Sequence, residues 1–348
     1  MSLGFGMDGA LTEVSKNRVE QTAKESILTY AEAIRQATFS AMKQDENIVV
    51  FGEGVNDSGA IFGTTKGLHE EFGTHRVIET PLSENGITGI CAGAAMGGLR
   101  PLLIHQRVDF ALLAMDQLFN HAAKWRYMTG GKIQIPFVLR CLIGKGWGQA
   151  AQHSQSLQAT FAHFPGVKVL MPSTPSDAKG LLLAAIQENN PTILLEARGL
   201  YSEKESVALN SFTTPIGKAA VRKLGSEITV IGSSYLMPEI MRVAQQLESE
   251  IDIEVIDLRT ISPLDTETLT KSVQKTGRAL VVDTSWKSFG ISAEISALLH
   301  ETCFDSLDRP VMRLALPDVP TPCSPELEKY FYPSAASITQ AILELAKG

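Results

Sequence analysis

The stretch Val77-Ile78-Glu79-Thr80-Pro81-Leu82-Ser83-Glu84-Asn85-Gly86-Ile87 decides how this chain is read. A hydrophobic run stops at a Thr-Pro turn, and a carboxylate stands two residues before a glycine. The small-residue segment Ile90-Cys91-Ala92-Gly93-Ala94-Ala95-Met96-Gly97-Gly98 then continues as a helix. Strand, turn and helix in that order make a unit of an open α/β sheet. Glu84 falls at the carboxyl end of the strand beside the helix start, where such sheets place their ligand crevices. Two readings of Glu84 follow from the local sequence. It is either a poorly solvated acid whose use depends on what it hydrogen-bonds, or a first-turn acid that favours the helix dipole.

The same alternation extends in both directions. Asn47–Gly52, Arg76–Glu79, Pro101–His105, Pro136–Arg140, Val167–Met171 and Thr192–Glu196 are continuous apolar runs of strand length. Amphipathic helices are predicted between them, notably Leu112 to Tyr127 and Ser176 to Glu188. Strands that are apolar throughout, alternating with helices, predict a mostly parallel sheet covered on both faces. Tyr201 to Pro215 is polar and lacks periodicity, which predicts a linker. A second series follows, with strands at Ile228–Gly232, Ile253–Asp257, Ala279–Asp283 and Val311–Ala315. Its helices run roughly over Met237–Glu250, Asp265–Lys275, Gly290–Glu301 and Ser337–Lys347. The expected organisation is an α/β chain of two doubly wound domains: a tail over residues 1–24, a domain over 25–203, a linker over 204–215 and a smaller α/β domain over 216–348. The second domain does not repeat the first.

A chain of 348 residues has ample core for two such domains, and 44% hydrophobic with 20% charged residues is the balance of a soluble globular protein. A net charge of -7, with no lysine or arginine run, argues against a general nucleic-acid or anionic-membrane binder. Cys91, Cys141, Cys303 and Cys323 are far apart, form no Cys-x-x-Cys pair and sit mostly in apolar or helical contexts. Free thiols in a reducing cytoplasm are the expectation, not a structural zinc site. No apolar segment reaches membrane-spanning length, and the amino terminus lacks the plan of a signal peptide.

Nucleotide signatures are absent: there is no Gly-x-Gly-x-x-Gly after a strand and no Gly-x-x-x-x-Gly-Lys-Ser/Thr. The glycine-rich Gly144–Gly148 loop fits neither spacing and is read as a flexible substrate-channel loop. A Gly-x-Ser-x-Gly elbow and a His-Glu-x-x-His pair are missing too, which weakens hydrolase readings. His153, in Gln149-Ala150-Ala151-Gln152-His153-Ser154-Gln155-Ser156, follows that loop among amides and hydroxyls. It is placed either to shuttle a proton or to be satisfied by backbone. Phe110, between a predicted strand and a predicted helix, is either a core ring or a platform for a heteroaromatic ligand.

These residues carry a resemblance. The chain is similar to the β subunit of the thiamine-diphosphate-dependent decarboxylating component of 2-oxoacid dehydrogenase complexes, of the pyruvate, branched-chain 2-oxoacid and acetoin dehydrogenase type in the transketolase-like superfamily. The similarity runs from about Thr29 to the carboxyl terminus. It includes Phe51–Gly54, Thr80-Pro81 with Glu84 and Gly86, Met115–Gln117 with Asn120, Gln152–Gln155 and Glu188–Pro191, then Asp257–Thr260, Phe289-Gly290 and Asp318–Pro320. The implied fold is a thiamine pyrimidine-binding domain followed by a transketolase C-terminal-like domain.

The resemblance implies roles. Glu84 matches the glutamate that hydrogen-bonds N1′ of the cofactor's aminopyrimidine and so makes the 4′-imine the internal base. Phe110 matches the ring that packs on the pyrimidine, and His153 the histidine that assists acyl transfer to a lipoyl group. Backbone carbonyls of Phe137, Ala185, Glu188 and Asn190 match a potassium site. The diphosphate-magnesium motif of thiamine enzymes, Gly-Asp-Gly followed downstream by Asn-Asn, does not occur here; Gly6-Met7-Asp8-Gly9 has the wrong spacing. The implied cofactor is therefore thiamine diphosphate with Mg2+, its diphosphate half held by an α subunit in an assembly of two α and two β chains. A lipoyl-bearing acyltransferase component and a β–β homodimer are the further implied partners. His105, Arg107 and Asp109 depart from the aromatic or uncharged patch usual before Phe110, which makes His105 and Arg107 substrate-pocket candidates. Arg107 would meet a substrate carboxylate or phosphate, or pair with Asp109 on the surface. That polar stretch keeps thiamine-dependent carboligation open as an alternative to 2-oxoacid oxidation. A non-catalytic assembly subunit is the rival from another class.

Overall fold

The computed structural model describes residues 24–145 and 148–347. Most of the expected tail, the Gly6–Gly9 stretch and the middle of the Gly144–Gly148 loop lie outside the described residues. The first half runs β1 (Glu25–Thr29), α1 (Tyr30–Gln44), β2 (Ile48–Gly52), α2 (Leu68–Phe72), β3 (Val77–Glu79), α3 (Glu84–Met96) and β4 (Arg100–His105). It continues with α4 (Ala123–Met128), β5 (Val138–Ile143), α5 (Gln158–Ala162), β6 (Lys168–Leu170), α6 (Pro175–Gln187), β7 (Thr192–Ala197) and β8 (Lys204–Ala208). The second half holds β9 (Ala220–Lys223), β10 (Ile228–Gly232), α7 (Met237–Gln246), β11 (Ile253–Asp257), β12 (Thr260–Ser262) and α8 (Thr266–Thr276). It ends with β13 (Ala279–Trp286), α9 (Ile291–Cys303), β14 (Met312–Leu316), α10 (Pro325–Phe331) and α11 (Ala335–Ala346).

The larger sheet has seven strands in the order β12-β6-β7-β5-β4-β2-β3. Its strands pair in parallel except β12, which runs antiparallel to β6. The apolar runs of the sequence are its centre: every residue of β2, β5 and β7 is buried. The second sheet is β14-β13-β10-β11-β9, parallel except for β9. β12 comes from the second half of the chain yet completes the first sheet. The two halves are further joined by a charged cluster, in which Arg222 bonds both Asp177 and Asp257, and Arg259 Nη1 donates to Asp177 Oδ1 at 3.1 Å. Asp257 is fully buried there, and burial raises its pKa despite Arg222.

Helix starts follow local chemistry. Thr29 caps α1 in a capping box with Glu32, and Thr174 caps α6 with Pro175 in its first turn. α3 opens on Ser83, which makes no side-chain cap bond, so Glu84 provides the acid of its first turn. Two expectations are revised. The stretch read as a linker contains β8, which pairs antiparallel with β1 about 180 residues earlier, from Glu25↔Ala208 to Thr29↔Lys204. The helix expected over Leu112 to Tyr127 is broken into a 3₁₀ segment at Val108–Ala114, a π segment at Asp116–Ala122 and α4. Asp116 accepts from Asn120 Nδ2 at 2.8 Å within that π segment, and such bulges cluster at functional sites.

One ion pair crosses the centre of the larger sheet. Arg140 on β5 and Glu196 on β7 are both fully buried and bonded twice, Arg140 Nη2 donating to Glu196 Oε2 at 2.9 Å. Tyr201 Oη donates to the same carboxylate at 2.7 Å. Burial alone would depress the Arg140 guanidinium, but Glu196 outweighs it and holds the charge. Removing one member strands the other charge in the core. Glu196→Leu should therefore lose about 3–5 kcal/mol of stability in urea unfolding, and Arg140→Met/Glu196→Leu should recover most of it. A single-variant loss below about 1 kcal/mol would contradict the buried pairing.

Candidate active site

A pocket of about 310 Å³ opens at the carboxyl ends of β2, β3, β4 and β5. Chain order reverses at this point, because β3 lies on one side of β2 and β4 on the other, and open α/β sheets bind ligands at such switch points. Glu53 follows β2; Leu82 and Glu84 follow β3. His105 ends β4, Gln106, Arg107 and Phe110 follow it, and Gln149 and His153 come from the loop after β5. Phe62 closes one side, carried by three consecutive residues with left-handed backbone: Ala60 at φ 44°, Ile61 at 42° and Phe62 at 58°. Strain of that kind persists where the surroundings hold it in place. A hollow of about 640 Å³ between α5 and α9 is larger, but only His163 and Glu294 among its lining groups titrate.

The pocket gathers every side-chain candidate of the sequence analysis: Glu84, His105, Arg107, Phe110 and His153. Phe110 is 36% exposed, and His153 meets it edge-on with ring centroids 5.2 Å apart. His105 is the last residue of β4, and its Nε2 lies 3.3 Å from Thr88 Oγ1 on α3. Burial pushes its imidazole down to about 4, so it is neutral at physiological pH. Glu53 and Glu84 face one another closely enough that Glu53 is raised, first by burial and then by Glu84 and Glu79. Glu79 is turned away and accepts from Gly54 N–H at 2.7 Å. Gly54 itself sits at φ 72°, where a Cβ would come within 3.1 Å of Gln106 Nε2.

Arg107 is 7% exposed and donates from Nη1 to the Gly144 carbonyl at 3.2 Å. The alternative that it pairs with Asp109 on the surface is not what the structure has. Asp109 is buried, and its Oδ1 accepts from the Gln155 backbone at 3.2 Å and from Gln155 Nε2 at 2.9 Å. Burial raises the Asp109 carboxyl against those bonds. Glu53, Phe62, Leu82, Gln106 and Gln149 were missed as pocket residues. Glu53 had a usable signal, a carboxylate one residue past the end of a strand. Gln149 brings a buried Oε1 with no partner among the described residues.

The four carbonyl residues lie together at the end of α6 and the start of β5. Phe137 O accepts from Thr192 N–H at 2.9 Å, Ala185 O from Glu188 N–H at 3.2 Å and Asn190 O from Thr192 Oγ1 at 3.4 Å. Glu188 O accepts from Arg100 Nη1 at 3.1 Å, and the same nitrogen reaches Ile186 O at 2.8 Å. The Arg100 guanidinium thus already bonds one of the four, the Glu188 carbonyl. Among the described residues no group of three His, Cys, Asp or Glu side chains is placed to hold a metal ion, and no helix is long and apolar enough to cross a membrane.

A two-domain α/β chain with an acid, an aromatic face and a histidine at the strand ends defines a transketolase-like protein. Residues 26–204 match the transketolase pyrimidine binding domain and residues 217–338 the transketolase C-terminal domain. The chain is 41% identical to the pyruvate dehydrogenase E1 component subunit beta of Rhizobium meliloti, covering 90% of this chain and 69% of that one. It is 41% identical to the 2-oxoisovalerate dehydrogenase subunit beta of Bacillus subtilis, over 92% and 99% of the two chains. The acetoin:2,6-dichlorophenolindophenol oxidoreductase subunit beta of the same organism is 39% identical over 92% and 97%. A solved structure of a split gene transketolase, an inactive beta4 tetramer, shares the fold with a TM-score of 0.74 at 17% identity, over 92% of this chain and 98% of that one. The chain belongs to the transketolase-like family of E1 β subunits of 2-oxoacid dehydrogenases, whose chemistry depends on thiamine diphosphate.

The neutral His105 gives the pocket a pH signature. Its folded pKa near 4 lies below the unfolded value near 6.5, so between the two the unfolded chain binds more protons. The stability it contributes is fully present above about pH 6.5 and is lost as pH falls toward about 4, on the order of 3 kcal/mol in all. His105→Gln should lose thermal stability less steeply than wild type over that window. Parallel Tm–pH curves would contradict the buried neutral imidazole.

Proposed function

We propose that this chain is the catalytic β subunit of a thiamine-diphosphate-dependent 2-oxoacid dehydrogenase, decarboxylating a 2-oxoacid and passing the acyl group to a lipoyl group. The observation that carries the reading is the meeting of Glu84, Phe110 and His153 in one pocket at the carboxyl edge of the sheet. The residues present suit an aminopyrimidine: a carboxyl for a ring nitrogen, an exposed ring face, and an unpartnered amide oxygen on Gln149. The cofactor, once bound, supplies the nucleophilic carbon and the electron sink for cleavage beside a carbonyl. Glu84 holds a proton at N1′, Phe110 orients the pyrimidine, and His153 moves a proton at the acceptor. Phe62 and Phe110 restrict water at the mouth.

The remaining half of the cofactor site belongs to a partner on this reading. The chain has no Gly-Asp-Gly, so the diphosphate and Mg2+ are held by an α subunit, in an assembly of two α and two β chains. The relatives' names as beta subunits support this. Exposed apolar side chains support it too: Leu82 at the pocket, Ile90 on α3, Leu113, and Tyr127 and Met128 at the end of α4 are each more than half exposed, as suits a chain that buries surface against an α subunit and a second β copy. Potassium at the carbonyls of Phe137, Ala185, Glu188 and Asn190 belongs to the same reading, bound through lone pairs left free by the bonds described above. A cytoplasmic, reducing setting suits the exposed free thiol of Cys323. Carboligation is the second reading, favoured by the charged Arg107 in the pocket.

Glu84→Gln, assembled with the α subunit, should keep its thermal midpoint while decarboxylation falls by about a hundredfold or more. Normal turnover would remove Glu84 from the mechanism. Product analysis separates the two readings: acyl-lipoyl formation excludes pure carboligation, and ligated product alone excludes the dehydrogenase.

A further inference from the structure

Arg107 is an arginine at the wall of the pocket that forms no ion pair among the described residues, although the buried Asp109 attracts it. The Arg107 side chain is 7% exposed, and its one hydrogen bond among the described residues goes to the neutral Gly144 carbonyl. It is the only lysine or arginine among the described residues that line the pocket. The titratable groups that face it are Asp109, Arg198, Tyr201 and Tyr332. Asp109 is the one carboxyl group among these; its Oδ1 accepts from Gln155, and its buried Oδ2 bonds neither Arg107 nor any other described residue. The contrast with the other buried arginines is direct. Arg140 and Arg222 sit on carboxylates and are pushed up against burial, whereas burial wins at Arg107 and lowers it. A buried cation without a partner is costly unless a ligand brings the matching charge.

The reaction decides which part of a substrate supplies that charge. A 2-oxoacid loses its own carboxylate as carbon dioxide, so negative charge leaves that group in the transition state. A guanidinium on the departing carboxylate would stabilise the ground state more than the transition state and slow the reaction. The cation is useful on a group that stays behind. We infer that the preferred donor carries a second anionic group at its far end, a carboxylate or a phosphate, and that Arg107 is the residue that selects it. This rests on the functional reading above and narrows it: the substrate class is a dianionic 2-oxoacid, not the neutral-chain acids named in the relatives.

The test uses the chain assembled with its α subunit and loaded with cofactor, with decarboxylation followed for four donors. Pyruvate and 2-oxopentanoate carry no second charge; 2-oxoglutarate carries a distal carboxylate and 3-phosphohydroxypyruvate a distal phosphate. One of the two dianionic acids should exceed both neutral ones by about ten- to a hundredfold in kcat/KM, the range expected for a charge-assisted bond. The winning arm identifies the anion. Arg107→Met should erase the preference mainly through KM, and Arg107→Lys should restore part of it. Neutral donors turned over as well as or better than both dianionic ones in wild type would overturn the inference while leaving the functional reading intact. Failure to decarboxylate any 2-oxoacid would overturn both. Loss of α-subunit association in Arg107→Met would assign the guanidinium to the subunit interface and overturn the inference.

Discussion

A parallel sheet carries all its strand carboxyl ends to one edge, and the chemistry of this protein depends on that geometric constraint. All ten side chains at the pocket lie at the end of β4 or in the connections that leave β2, β3, β4 and β5; Phe62 arrives on a left-handed turn of the connection that leaves β2. The buried Arg140–Glu196 pair holds β5 and β7 together directly behind this edge. β12 adds a strand from the second half of the chain, so the pocket's sheet is not complete until both halves have folded. The interdomain ion pairs of Asp177, Asp257, Arg222 and Arg259 fix the same junction.

Electrostatics inside the pocket are arranged in opposition. The pocket is lined by two carboxyl groups, Glu53 and Glu84, by His105, kept neutral by burial, and by the buried Arg107. Of the two acids it is Glu53 whose carboxyl is raised, by burial first and then by its acidic neighbours. A substrate that carries charge to Arg107 would complete the balance. On the proposed reading the fold supplies the pyrimidine half of a thiamine site, with a polar wall at Arg107 beside it.

Much of this was legible in the sequence, for identifiable reasons. The central strands announce themselves because both faces are buried, which forces apolar residues at every position. Glu84, His105, Arg107, Phe110 and His153 were legible because each follows such a run within a few residues or closes a motif. β1, β8 and β12 were not, since each is short and its partner lies tens to hundreds of residues away. The π segment escaped because its composition suits an ordinary helix and only the local bonding of Asp116 distinguishes it. Gln149 lacked any pattern of its own, and the one signal of Glu53 was its place just past β2; both matter through where β2 and β5 deliver them. Asp109 looked like a surface partner for Arg107, and only the three-dimensional placement of Gln155 shows where its bonds go.

The central claim is that this chain holds half a cofactor site, completed by another polypeptide. Calorimetric titration of thiamine diphosphate with magnesium, into the chain alone and into the chain with its α subunit, tests it most directly. Saturable binding of one cofactor per αβ pair, with none to the chain alone, is the result the account predicts. Tight binding by the isolated chain would contradict it.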